Sequence, residues 1–206
     1  MPSNLRYRLY REHKYLIFRL SEVERQIAKT DFRSNVEVNT LVQQLNDLKD
    51  LLEGHAEHED TAIHPLLERK NSDVHTRIEA EHRQHEIQFK DFNQQLQDIL
   101  AANNKDKRLS LVQDFYLAYR LFVSENLQHL HWEETVIMSE LQKLYTDEEL
   151  QKIDANTYSH MTPEEIIEML DVLLPHMDAN DKEFFLNDIK KAAPEKYAAI
   201  SLAYHH

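Results

Sequence analysis

The stretch GHAEHEDTAIHPLLE, residues 54–68, constrains this chain more than any other, because its pattern returns 74 residues later in LQHLHWEETVIMSE, residues 127–140. With His55 laid on His129, Glu59 falls on Glu133, Asp60 on Glu134, Ile63 on Ile137 and His64 on Met138. Both stretches carry His-x-x-x-Glu followed by a second carboxylate, and both are helical in period. Residues four apart sit one above the other on a helix, with Cβ atoms about 5–6 Å apart, so each pair aims an imidazole and a carboxylate at one point. The doubling extends upstream: REHKYL (11–16) and AEHRQH (80–85) place Glu12-His13 on Glu81-His82. The chain reads as two helix pairs of one kind.

One glycine, five prolines and abundant Leu, Glu, Gln and Lys predict an all-α protein. A first helix is expected after a Ser3-Asn4 cap, running to about Thr30, with Leu9, His13, Leu16, Leu20, Val23 and Ile27 on its inner seam. A second, from about Asn35, has the seam Val38, Leu41, Leu45, Leu48, Leu52, His55, Glu59, Ala62, Leu66, and Pro65 is expected to kink or end it before a connection at Asn71-Ser72. The third turns Ile78, His82, His85, Phe89, Phe92, Leu96 and Ile99 inward. The fourth presents Phe115, Ala118 or Tyr119, Phe122, His129, Glu133 and Val136, flanked by Leu130, Ile137 and Leu141. Four helices of this length, each ~45 Å, with short loops, predict an up-down-up-down four-helix bundle over residues 1–145. Gly54, mid-helix, costs about 1 kcal/mol relative to alanine, which a close approach beside the site would account for. From Thr146 the pattern shortens. Thr146 with Glu149, and Thr162 with Pro163 and Glu165, read as helix caps, so residues 146–206 are expected to form a C-terminal appendage of short helices packed on the bundle near the histidines.

The formal charge of −13, with no basic stripe, argues against a nucleic-acid partner. The absence of cysteine excludes disulfides, thiolate zinc sites and iron–sulfur ligation. No run approaches the ~20 apolar residues of a membrane span, and the arginine-interrupted N-terminus lacks a signal-peptide core, so a cytoplasmic protein is expected.

Within the seams stand His13, His55, Glu59, His82, His85, His129 and Glu133. Any one alone reads as a buried histidine or a rim glutamate. Together, two carboxylates and five imidazoles in a core without a counter-cation cost several kcal/mol per unpaired charge, and a metal site relieves that cost. Imidazole and carboxylate donors without sulfur suit iron, with manganese or zinc as alternatives, and carboxylates able to bridge suggest two ions. On the third helix either His85 or Glu86 can serve, and on the fourth Glu134 competes with Glu133. His58 borders the stripe as a lesser candidate. His64 lies half a turn round from His55, His75 lies at the rim, and His131, His160, His176, His205 and His206 are read as surface or packing residues.

On His13, His55-x-x-x-Glu59 with Asp60, His82, and His129-x-x-x-Glu133 with Glu134, the chain resembles hemerythrin-like, HHE cation-binding domain proteins over about residues 4–144. The resemblance implies a four-helix bundle holding a non-haem di-iron centre, with Glu59 and Glu133 bridging the irons and the histidines as terminal ligands. The implied function is binding or sensing of oxygen, nitric oxide, or redox or iron state. Two alternatives stand beside it: an oxidoreductase acting on peroxide or oxygen, favoured if Glu86 is a ligand, and a metal-stabilised scaffold that docks a protein partner through its C-terminal helices.

Overall fold

The computed structural model describes residues 6–204, which are almost entirely helical and contain no strand. The four long helices are α1 (His13–Lys29), α2 (Asn35–His58), α4 (Thr76–Ala101) and α5 (Lys105–Trp132), with the short α3 (His64–Glu68) and α6 (Met138–Leu144) continuing α2 and α5. They close a ring: α1 packs on α2 and α5, and α4 packs on the same two. Local chemistry sets their ends. Ser34 Oγ accepts from the Glu37 N–H at 3.3 Å to start α2, and Asn104 Oδ1 accepts from the Asp106 N–H at 2.8 Å to start α5. Asn71, in the left-handed region at φ 57°, reverses the chain between α3 and α4 while the Ser72 N–H reaches back to the Leu67 carbonyl at 3.0 Å.

Two features differ from expectation. The first helix begins at His13, not near Asn4, and the Ser3-Asn4 cap lies outside the described residues. Residues 6–12 instead run across the end of the bundle, turning at Tyr10, whose φ of 69° is one of two positive values outside glycine among the described residues. Their side chains are committed elsewhere: Arg6 to Asp147, Tyr7 to Asp154, and Arg11 to Asp188 at 2.6 Å. A continuous helix would pull these partners away.

The second feature is a π-helical turn at Glu59–Ile63 and another at Glu133–Ile137, one in each copy of the repeat. His64 N–H bonds the Glu59 carbonyl and Met138 N–H bonds the Glu133 carbonyl, each five residues back. Such turns are rare and occur most often at functional sites. Proline is not their common cause, since Ser139 holds the place of Pro65 in the second copy. The shared feature is a threonine whose hydroxyl bonds the carbonyl four residues earlier: Thr61 to Glu57 at 2.7 Å and Thr135 to His131 at 2.6 Å. One additional residue in the turn moves the inner face on by one. The buried residues beyond the site are therefore Ile63, Leu67 and Ile137, not the predicted Ala62, Leu66 and Val136.

The bundle interior has two apolar clusters. One fills the body with Leu16, Leu20, Leu41, Leu45, Phe92, Leu96, Phe115, Tyr119 and Phe122. The other, built of Leu9, Tyr10, Ile63, Leu67, Ile78, Ile137 and Leu141, with Leu150 and Ile153 from α7 (Asp147–His160), seals the end. The predicted site lies between them. The remaining helices are α8 (Pro163–Leu173), α9 (Ala179–Ala192) and α10 (Pro194–Tyr204). They enclose a third cluster of Tyr158, Ile166, Leu170, Met177, Phe185 and Ile189. The capping boxes read at Thr146 and Thr162 are both formed. This segment lies along α1, where Lys14 pairs with Asp178 at 2.8 Å and His176 packs on Phe18.

Candidate metal centre

Six of the predicted residues converge in the layer between the two apolar clusters. His13 opens α1, His55 ends the straight part of α2, Glu59 opens the first π-turn, His82 lies two turns into α4, His129 is in the last turn of α5, and Glu133 opens the second π-turn. They form two groups. His13, His55, Glu59 and Glu133 each present a donor atom within 4.8 Å of the others, and so do Glu59, His82, His129 and Glu133. The two glutamates are common to both.

The histidines face inward through Nε2. His13 Nε2 is 3.4 Å from Glu133 Oε2, His55 Nε2 is 3.6 Å from Glu59 Oε1, His82 Nε2 is 3.3 Å from Glu59 Oε2, and His129 Nε2 is 2.7 Å from Glu133 Oε1. Across the centre His82 and His129 Nε2 stand 3.2 Å apart, a spacing that two ring N–H groups cannot share. Both glutamates are fully buried, at 0 % exposure. Both oxygens of each, together with the inward nitrogens of His13 and His55, have no hydrogen-bond partner. Buried carboxylates in native proteins are otherwise satisfied, so these orphaned atoms fit a cation.

Each histidine also has a carboxylate at its outward nitrogen. Nδ1 of His13 lies 2.9 Å from Glu134, Nδ1 of His55 3.5 Å from Glu12, Nδ1 of His82 3.4 Å from Asp60, and Nδ1 of His129 2.9 Å from Glu81. At His13 and His129 the carboxylate is within hydrogen-bond distance of Nδ1, which leaves the Nε2 lone pair for the interior, whereas Nδ1 of His82 makes no hydrogen bond. The arrangement obeys the sequence repeat throughout, since Glu12 serves His55 as Glu81 serves His129, and Asp60 serves His82 as Glu134 serves His13. Glu12 and Glu81 were not predicted. The doubled Glu-His pair carried the signal, but each glutamate serves a histidine on the next helix and not the one beside it.

The electrostatics favour positive charge. Burial acts to lower the His55 pKa, but Glu59, Glu12 and Glu133 reverse this and hold it well above the usual value. At His129 burial is likewise overcome, by Glu133, Glu81 and Glu59. Burial would raise the Glu133 carboxyl, yet His129 and His55 bring it well below the ordinary range. The cage collects protons where a metal ion could displace them.

The structure does not bring the other candidates into either group. His85 is half-buried with its ring 5.2 Å from that of His129 and 5.5 Å from Phe122. Burial, then His129 and His82, press its pKa down to about 4, so it stays neutral. Glu86 is exposed, and His58 Nε2 lies 3.3 Å from Thr157 Oγ1. Gly54 is exposed, and a Cβ there would meet nothing within 4 Å, so no close approach explains it. His64 and His75 are buried at 1 % and 5 %, against the expectation of outer and rim positions. His131 and His160 are exposed as expected, and His205 and His206 lie outside the described residues.

No described helix is long and apolar enough to cross a membrane. Comparison with curated proteins and with solved structures returns no match. The family comparison does: residues 4–116 match the hemerythrin HHE cation binding domain. That span is more than half the chain and contains His13, His55, Glu59 and His82. His129 and Glu133 lie beyond it, and the fold returns them to the same layer. The chain belongs to the hemerythrin HHE cation-binding domain family.

Proposed function

We propose that the protein would hold two non-haem iron ions, with His13 and His55 as donors to one, His82 and His129 as donors to the other, and Glu59 and Glu133 shared between them. The observation that carries this reading is the membership of both glutamates in both groups with all four oxygens free of hydrogen bonds. A carboxylate so placed has one oxygen for each ion. Donors of nitrogen and oxygen without sulfur suit iron, and manganese and zinc would compete.

Such a pair, when bound, supplies a place for a small ligand such as oxygen or nitric oxide to add and a reservoir for electrons. The chain's own residues prepare that place. Glu81 and Glu134 hold the rings of His129 and His13 and their tautomers, Glu12 and Asp60 stand beside the rings of His55 and His82, the two apolar clusters flank the layer, and neutral His85 packs against His129. A cavity of about 590 Å³ between the first two helices and α7–α9 reaches Glu12 and His55, with Leu16, Met169, Leu173 and Phe185 among its walls. Its walls expose mostly apolar surface, which suits passage of an uncharged molecule such as oxygen or nitric oxide to His55. Binding or sensing of a diatomic molecule, or of redox state, without obligatory turnover, is therefore the function proposed, with residues 146–206 as the cover over the approach. The alternative of peroxide or oxygen turnover gains support if Glu86 is a ligand, and the exposed position of Glu86 outside both groups withholds that support.

Iron-supplemented protein should contain about two iron ions per chain and show an optical spectrum that changes reversibly on exposure to oxygen or nitric oxide. Glu59→Gln should abolish both. Fewer than one transition-metal ion in the supplemented wild type would overturn the reading.

A further inference from the structure

A second cluster of imidazoles and carboxylates lies beside the centre, on the α3–α4 flank. Asp60, His64 and Glu79 present donor atoms within 4.8 Å of one another, and so do Glu68, His75 and Glu79, with Glu79 common to the two groups. His64 Nδ1 is 2.9 Å from Asp60 Oδ1 and 3.8 Å from Glu79 Oε1, and His75 Nε2 is 3.4 Å from Glu79 Oε1 and 3.6 Å from Glu68 Oε1. His64 is 1 % exposed, yet neither ring nitrogen makes a hydrogen bond, because Asp60 approaches Nδ1 off the line an N–H would take. Nδ1 of His75 is equally without a partner. A buried imidazole facing two carboxylates with both ring nitrogens unbonded has a free lone pair that a metal ion would use.

Bundle packing does not require His64 or Glu68. At the repeat-related positions of α6, Met138 stands in place of His64 and Gln142 in place of Glu68. Neither is an imidazole or a carboxylate, and α6 still packs, with Met138 buried. The carboxylates face outward, with side-chain exposures of 45 % for Asp60, 33 % for Glu79 and 62 % for Glu68, while the histidines lie inside.

We propose that Asp60, His64 and Glu79, with His75 and Glu68 at the outer edge, form an additional site for a divalent first-row cation. The site opens to solvent through its carboxylates and adjoins the main centre through Asp60, whose Oδ1 also lies 3.4 Å from His82 Nδ1. Mixed imidazole and carboxylate donors suit zinc, manganese or ferrous iron, and partial exposure makes the ion exchangeable.

The test is equilibrium dialysis of iron-loaded protein against zinc, with zinc and iron counted per chain. Wild type should take up one zinc ion beyond its iron. Glu79→Gln and His64→Met, the latter installing the residue that α6 already packs, should each lose that ion with iron unchanged. The same titration on His55→Ala/His129→Ala, in which the main centre is broken, should still show one zinc ion that Glu79→Gln removes. This separates failure of the present proposal from failure of the di-iron reading. No additional zinc in wild type, or equal uptake by both folded variants, would overturn it. If His64→Met fails to fold, Glu79→Gln, at a half-exposed position, decides alone.

Discussion

Glu81 Oε2 lies 2.9 Å from Nδ1 of His129, 48 residues further along the chain, and so holds from α4 a ring that belongs to α5. Glu12 stands in the same relation to His55 at 3.5 Å, with its own pKa pulled down to about 2 against the effect of burial by His55 and His13. These contacts tie each histidine to a neighbouring helix, so the site and the bundle's closure are one structure. Outer partners of this kind contribute about 10–100-fold to metal affinity. Glu81→Ala should weaken metal binding by that order while retaining the wild-type number of ions, as read by competition with a chromogenic chelator. Unchanged affinity would remove Glu81 from the site.

Gly54 offers a control. It stands in α2 with open space where a Cβ would point, and a helical glycine costs about 1 kcal/mol relative to alanine. Gly54→Ala should raise Tm by roughly 2–4 °C and leave metal content alone, as followed by thermal unfolding. A drop in Tm would reveal a constraint the packing does not show.

Asp154 links stability to pH. Burial, with Glu12 and Asp188 nearby, raises its carboxyl from 3.8 to about 7, although Tyr7 and Arg11 act in the opposite direction. A carboxyl that binds its proton more tightly in the folded state contributes stability that is full below its ordinary pKa and lost as pH rises through the folded one. Denaturant unfolding should therefore show a component that declines from about pH 4 to about pH 7, and Asp154→Asn should flatten it. A wild type and variant with parallel pH profiles would refute this.

Access to His55 passes a cavity walled by Met169 and Leu173 of α8 and Phe185 of α9. Met169→Trp adds bulk there without touching the inner residues. Association of the small ligand should slow several-fold while iron content is unchanged, as measured by stopped-flow mixing with oxygen or nitric oxide. A rate equal to wild type would place the approach elsewhere, for which the cleft beside His82 and His85 is a candidate.

The sequence alone determined the helical character, the seams of the four helices as far as the central layer, the caps at Thr146 and Thr162, and, within a set of seven, the six residues that meet in that layer. These were legible because helix periodicity and capping are local, and because the repeat marked the same positions twice. Tertiary structure decided whatever depends on contacts between helices. The start of α1 at His13 is set by partners of Arg6, Tyr7 and Arg11 that lie far along the chain. The pairing of Glu12, Asp60, Glu81 and Glu134 with histidines runs across helices, where spacing along the chain carries no signal. His64 shows the limit most directly: nine residues beyond His55, it lies about half a turn round an unbroken helix of 3.6 residues per turn. The π-turn at Glu59–Ile63 adds a residue, rotates the rest of the helix by roughly 100°, and brings His64 inward beside His82.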